Sequence, residues 1–508
     1  MGLQFLSGVS HTLQTASVAT LIFVACVFIS QINYKAQLAR LPIIGAEAGG
    51  SEKRRKVYLQ SARKLYNEGY EKFKDRVYRI ATADGVDSIV VTPRFLPELR
   101  RLPDSVLSFG QAIAETMEAK YTNIPTDEPI VAHTIRADLT PALVRLNPLI
   151  CSEVDEAMKD EMPPCEDWTP VLIYMTLVRI VAKVSGRVFV GPELCHDKDY
   201  LDCGINYTIE LIGAQRAVKK LRPAFRPFLA PRLPEIQRLR EREKIATNFL
   251  RPIVQARRNA MKDPDYQKPD DMLQWSLNRS ADFGIESTEK LAKLQLGIIF
   301  AAIHTTSMTT TNILYSLAAS PEYTQPLREE IRTAIAESGG IITTRALQQM
   351  EKLDSYMKET MRFYPAGYTS FPRKVLKGIT LSNGQYIPAG TFIEVPSHAV
   401  YQDNDHYPES DNFDGFRFYK LRKRGTVENA RNQFVTTNEQ SLAFGYGKHA
   451  CPGRFFAANE IKMILARAIL EYDIKNVDGA TERYPNLEMG RTSVPDPSKM
   501  LLFKKVEV

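Results

Sequence analysis

Apolar positions along this chain recur mostly three and four residues apart, with short alternating runs between them. That pattern predicts a mainly α protein with small β-sheets. The first apolar block is different: residues 16–32 are nearly continuous apolar sequence, and residues 1–34 contain no Asp, Glu, Lys or Arg. A run close to 20 residues is what a membrane-crossing helix needs. The pattern therefore predicts one transmembrane helix over about 13–32, within an anchor segment 1–34. A basic hinge over 35–56 follows, carrying Lys35, Arg40 and Lys53-Arg54-Arg55-Lys56, and then a single domain over 57–508. Positive charge on that side alone places the domain in the cytosol.

Within the domain, a helical pattern runs from about 57 to 73. Two short strands, 77–81 and 88–91, read as a hairpin turning at Asp84-Gly85. The stretch 103–129 is broken and mixed, and 148–286 alternates helical runs with Pro-rich breaks. From Ser287, a good N-cap, a long helix is predicted to Ser320-Pro321, buried because 294–303 is apolar all round. Its centre reads Ala301-Ala302-Ile303-His304-Thr305-Thr306-Ser307. Clustered hydroxyl residues compete for backbone carbonyls, which predicts a local distortion there. Further helices are expected after Pro321, over 353–364 and beyond Pro452, with a strand–turn–strand element over 386–392.

Composition adds limits. With 508 residues, 44% of them hydrophobic, the chain can bury a large core, and a net charge of +7 scattered among 59 acidic residues gives no nucleic-acid signature. Six cysteines without a C-x-x-C pair fit a reducing compartment. One of them, Cys451, sits in Phe444-Gly445-Tyr446-Gly447-Lys448-His449-Ala450-Cys451-Pro452-Gly453. Glycines there permit a tight loop that brings amides close to the sulfur, and a following helix would favour a thiolate through its N-terminal dipole.

That run resembles the heme-binding loop of the cytochrome P450 monooxygenases, F-G-x-G-x-[RH]-x-C-x-G, at every fixed position. Residues 301–306 are similar to the family's oxygen-binding motif, [AG]-G-x-[DE]-T-[TS], with Ala302 in place of Gly and His304 in place of the acid. The resemblance implies that Cys451 ligates the iron of heme b (iron-protoporphyrin IX) within a loop that includes Phe444 and Gly445. It implies that Thr305 steers protons to dioxygen, and we expect His304 to join that relay, since imidazole also carries protons. Arg373 and His449 match positions that meet the heme propionates. Arg136 and His133 belong to an incomplete W-x-x-x-R motif, with Ala132 where the Trp stands, and are expected to do the same. Glu359, Arg362 and Arg417 match a structural network that holds the cysteine loop. As in membrane-anchored relatives, electrons would come from NADPH-cytochrome P450 reductase, with cytochrome b5 as an optional second donor, at the endoplasmic reticulum membrane. The motif wording looks most like fungal P450s of secondary metabolism, which points to a bulky apolar substrate such as a terpenoid or meroterpenoid. Two alternatives stay open: a rearrangement, dehydration or coupling reaction on a polyketide or alkaloid at the same heme, or a heme sensor or carrier.

Overall fold

A computed structural model describes residues 2–126 and 128–506, with the side chains of 2–14 and Asp478 outside the description. The start of the expected transmembrane stretch, residues 13 and 14, therefore lies outside the described side chains. The N-terminal apolar run forms one helix, Gly2–Ala39, longer than the sequence pattern predicted. Its part Thr15–Ala39 has a mean hydropathy of 2.0, and none of its most apolar window is buried against the rest of the chain. Leu21, Phe23 and Phe28 face outward, which fits a membrane anchor.

The chain then turns at Gly45, whose positive φ of 74° suits glycine. A helix over Ser51–Lys72 starts six residues earlier than expected. Gly50 caps it and Glu52 sits in its first turn, so the basic run 53–56 is helical rather than hinge. The predicted hairpin is present as Tyr78–Ala81 and Asp87–Val90, and it forms one edge of a five-stranded sheet. Phe392–Val395, Ser370–Val375 and Leu107–Ser108 complete that sheet in order. The strand–turn–strand expectation is divided: Tyr386–Ile387 pairs with Ile379–Thr380 in a separate ribbon, whereas Phe392–Val395 joins the larger sheet. A three-stranded sheet of Thr169–Val171, Leu501–Lys505 and Tyr472–Asn476 holds the C-terminal segment.

The predicted central helix spans Thr288–Ala319, capped by the Ser287 hydroxyl accepting from the Lys290 amide at 3.1 Å. The expected distortion is absent. Ser307, Thr309, Thr310 and Thr311 each donate to the carbonyl four residues back, at 2.7–2.9 Å, so the hydroxyls close on their own turns and the helix stays continuous. This helix is apolar enough to pass for a second membrane span, but 61% of its most apolar window is buried inside the protein. It is the axis of the largest hydrophobic core. The helices Ile173–Phe189, Lys198–Lys220, Pro234–Ala260 and Arg454–Glu471 pack around it.

Candidate active site around Cys451

The cysteine loop turns on two glycines with positive φ, 76° at Gly445 and 71° at Gly447. At Gly445 a side chain would also press on the loop's return, with a Cβ 3.5 Å from Ala450 Cα and from the His449 carbonyl. The Cys451 amide donates to the Phe444 carbonyl at 2.7 Å, which closes the loop. The Phe444 ring stands edge-on to Phe434, 5.2 Å between centroids. The next helix begins at Arg454 with Gly453 as its cap, so Cys451 and Pro452 lie just before it. The amides of Gly453 and Arg454, at the helix start, reach the sulfur and lower its pKa, as expected. The expected net preference for thiolate is corrected, because burial outweighs them: the free thiol is pushed above its ordinary value, with the amides and the Arg454 guanidinium only partly offsetting. Although surrounded mostly by protein, Cys451 keeps accessible surface. A metal cation is what deprotonates a thiol in such a place.

The neighbouring central helix shows a matching opening. Ala301 and Thr305, one turn apart, are exposed, while Ile303, His304, Thr306 and Ser307 between and beside them are buried. Open surface in the middle of a core helix marks an internal cavity. The Thr305 hydroxyl donates to the Ala301 carbonyl at 2.6 Å, and Ala302 O lies 3.3 Å away. His304 is not brought to Thr305's side, contrary to the relay expectation. Its Nε2 donates to the Ile205 carbonyl at 2.8 Å, and its Nδ1 meets the Tyr174 hydroxyl at 2.9 Å. Both ring nitrogens are engaged by other helices, and burial lowers the imidazole pKa, so the ring stays neutral.

Cations gather on another side of the loop. Arg373 is 4% exposed. Its guanidinium donates to the Pro372 carbonyl at 2.8 Å and stacks on Phe371 and Phe109, with no carboxylate of the described residues in hydrogen-bond contact. Burial pulls its pKa down to about 10, opposed only by the more distant Asp104. His449 stacks on Phe109 and meets Asp104 Oδ1 at 2.8 Å, and Lys448 meets the same carboxylate at 3.1 Å. Arg136 donates to the Lys448 carbonyl at 2.8 Å, which docks its helix onto the loop. The structure places His133 elsewhere: exposed, and packed against Phe283 at 5.4 Å between centroids. Sequence reading missed Asp104 and Phe109, because nothing in a broken stretch marks which residues will fold back onto the loop.

Behind the loop, Glu359 and Arg362 form the anticipated pair, two bonds of 2.8 Å with the side chains 0% and 2% exposed. Arg417 joins at 3.2 Å, and the Asp414 amide adds a bond of 3.0 Å. Arg362 also donates to the carbonyls of Tyr401 and Ser410, at 2.7 and 2.8 Å. Every strong donor here has an acceptor, and the group ties the Glu351–Phe363 helix to the segment leading into the loop.

Comparison with known proteins agrees with this geometry. The family model described as Cytochrome P450 matches residues 128–503. The chain belongs to the cytochrome P450 family. It is 38% identical over 501 residues to cytochrome P450 monooxygenase TES1 of Alternaria alternata, covering 98% of this chain and 94% of that one. To cytochrome P450 monooxygenase ATR3 of Stachybotrys chlorohalonatus it is 41% identical over 426 residues, 83% of this chain and 89% of the relative. To cytochrome P450 monooxygenase paxP of Penicillium paxilli the identity is 36% over 443 residues, 86% and 84%. This P450 is thus a monooxygenase with fungal relatives, and the family implies heme ligated by a cysteine thiolate. The residues fit that group: a thiol that keeps accessible surface, amides that reach its sulfur, and a buried guanidinium without a carboxylate partner among the described residues. Elsewhere among the described residues, the donor atoms of Glu153, Cys195 and His196 lie within 4.8 Å of one another. Burial, then Glu153, pushes that thiol up to about 12 with Arg187 opposing, and His196 Nε2 lies 2.7 Å from Glu153 Oε1.

Proposed function

We propose that this P450 is a heme b monooxygenase anchored in the endoplasmic reticulum membrane, taking electrons from NADPH-cytochrome P450 reductase, with cytochrome b5 as an optional second donor. Its substrate is a bulky apolar molecule, a terpenoid or meroterpenoid of fungal secondary metabolism, which it hydroxylates or oxidises in successive steps. The observation that carries the reading is the pairing of two open surfaces in a dense core: Cys451 at the start of one helix, and Ala301 with Thr305 on the helix packed against it. Heme held there supplies dioxygen activation, which thiolate ligation favours.

The chain's own residues supply the rest. The amides of Gly453 and Arg454 stabilise negative charge on Cys451 Sγ. Arg373 offers a guanidinium to a propionate, with His449 and Arg136 beside it as further cationic or donor groups. Thr305 Oγ holds a hydroxyl on the open stripe, where its oxygen accepts one proton as it passes another on. Ala301 and Ala302 leave space for an apolar ligand beside it.

A Soret titration of detergent-solubilised protein tests the proposal. Wild type is expected to give a thiolate-type carbon monoxide difference spectrum and a low-to-high-spin shift with meroterpenoid or diterpenoid ligands. Cys451→Ser should lose the thiolate signature while remaining folded by circular dichroism. A thiolate spectrum in Cys451→Ser would overturn the site, and a wild type that shifts only with polyketides or alkaloids would overturn the substrate class.

A further inference from the structure

The position where the family motif has an acid holds His304, and its surroundings assign it another task. We propose that His304 is a positioning residue that latches the helix Lys198–Lys220 onto the central helix, as the closure of the roof over the cavity. The inference rests on the monooxygenase reading only for what lies beneath that roof.

Three observations meet at this residue. First, the hydrogen bonds fix its state. A carbonyl only accepts, so Nε2 carries the proton it gives to Ile205 O, and neutral Nδ1 accepts from the Tyr174 hydroxyl. Tyr174 is in the first turn of Ile173–Phe189, so one imidazole joins three helices. Second, His304 stands one residue before Thr305, about 100° around the helix, on the flank of the open stripe. It is 5% exposed, with Nε2 against the helix Lys198–Lys220 and Nδ1 against Tyr174. Third, the contact at that level is close. A Cβ on Gly204 would come within 3.2 Å of Ile303 Cδ1, so the two helices approach there because residue 204 has no side chain. Further along, Tyr207, Leu211 and Ala214 of the roof helix share a cluster with Met117 and Ile124 of the broken stretch and with Leu296 of the central helix. The His304 contact is thus a polar tie from this helix to the central helix, separate from the ties the same helix makes elsewhere, Gln215 to Thr116 O at 2.9 Å, Lys219 to Asp84 at 2.7 Å and Glu210 to Arg242 at 2.6 Å.

The hydrogen bonds make a prediction that a proton relay does not. Amide hydrogen exchange of the full-length, heme-loaded protein in detergent is followed segment by segment. His304→Ala is expected to raise exchange in 198–220 about tenfold, the scale of losing one or two net hydrogen bonds, while 288–319 keeps its protection. Carbon monoxide rebinding after photolysis should quicken in the same variant. Tyr174→Phe should produce a smaller effect confined to 198–220. His304→Gln, whose amide still donates to Ile205 O, should restore most of the protection. Unchanged exchange in 198–220 would overturn the latch, and exchange raised throughout the domain would show general loosening in its place. A changed solvent isotope effect on turnover with normal exchange would return His304 to proton delivery. Exchange needs no turnover, so a failed family reading would show separately, as a wild type without the thiolate spectrum.

Discussion

Two sets of buried charges flank the cysteine loop, and the chain treats them in opposite ways. Behind the loop, Glu359 accepts from Arg362, Arg417 and the Asp414 amide, and Arg362 fills its other donors with backbone carbonyls. On the other side, Arg373 is about as buried yet has, among the described residues, one carbonyl, two aromatic faces and no carboxylate. A buried ion satisfied by its own chain is architecture. A buried ion left without a counter-charge marks where a ligand of opposite sign belongs. Glu460 gives the comparison a third case. It is 0% exposed, as Glu359 is, but among the described residues only the Ser185 hydroxyl donates to it, and its Oε2 has no partner there. Burial pushes its pKa up to about 8, so at neutral pH it is mostly a protonated acid.

The largest effect is expected where satisfaction is complete. Glu359→Gln leaves the buried guanidinium of Arg362 and the half-buried one of Arg417 without their shared anion, a loss of about 3–5 kcal/mol. The cysteine loop should then fail to form, seen as little carbon monoxide-binding protein and a lowered urea midpoint. A variant with normal heme content and midpoint would break the comparison at its strongest point.

Glu460→Gln should act in the opposite direction. The folded pKa is raised from an ordinary 4.5, so the native state holds a proton that the unfolded chain releases. Its stability contribution is full below pH 4.5 and declines as pH rises to about 8. Glutamine removes that decline and should stabilise the protein at pH 7 by about 3 kcal/mol. Urea unfolding of both proteins at pH 5 and pH 8 measures it. A gain equal at both pH values would show that the acid's proton is not the cause.

How much of this was legible beforehand follows the range of the interactions. The central helix, the hairpin at Gly85 and the Glu359–Arg362 pair are local patterns, read within a few residues of their ends. The tight turn before Cys451 was legible because the glycines that make it are contiguous with it. The partners of His304 were not, because Tyr174 and Ile205 lie 130 and 99 residues away. The continuous helix through Thr305–Thr311 was misread for a subtler reason. The hydroxyls bond back to their own helix, and packing on every side outweighs their weak helix propensity. Asp104 and Phe109 shape the cation cluster from a stretch with no pattern at all.

The smaller effects sharpen the comparison on its ligand side. Arg373→Met removes a buried cation that has no carboxylate partner, so heme-free stability should hold or rise. Heme affinity should drop about tenfold to a hundredfold, the worth of one charge-assisted bond to a propionate. Heme transfer to apomyoglobin, with urea unfolding of the heme-free protein, separates the two. Arg373→Met that unfolds the heme-free protein would place it with Glu359 as architecture.

The smallest expected effect is at His133, whose ring is exposed and rests on Phe283. His133→Ala should change heme affinity and stability by no more than about 0.5 kcal/mol, as exposed substitutions do. The same two assays measure it beside Arg136→Ala, which lies on the loop side of that segment and loses its bond to Lys448 O. A tenfold loss of heme affinity in His133→Ala would mean that the segment turns its ring toward the heme. The absence of a counter-charge would then be a sufficient sign of a ligand contact, as at Arg373, but not a necessary one.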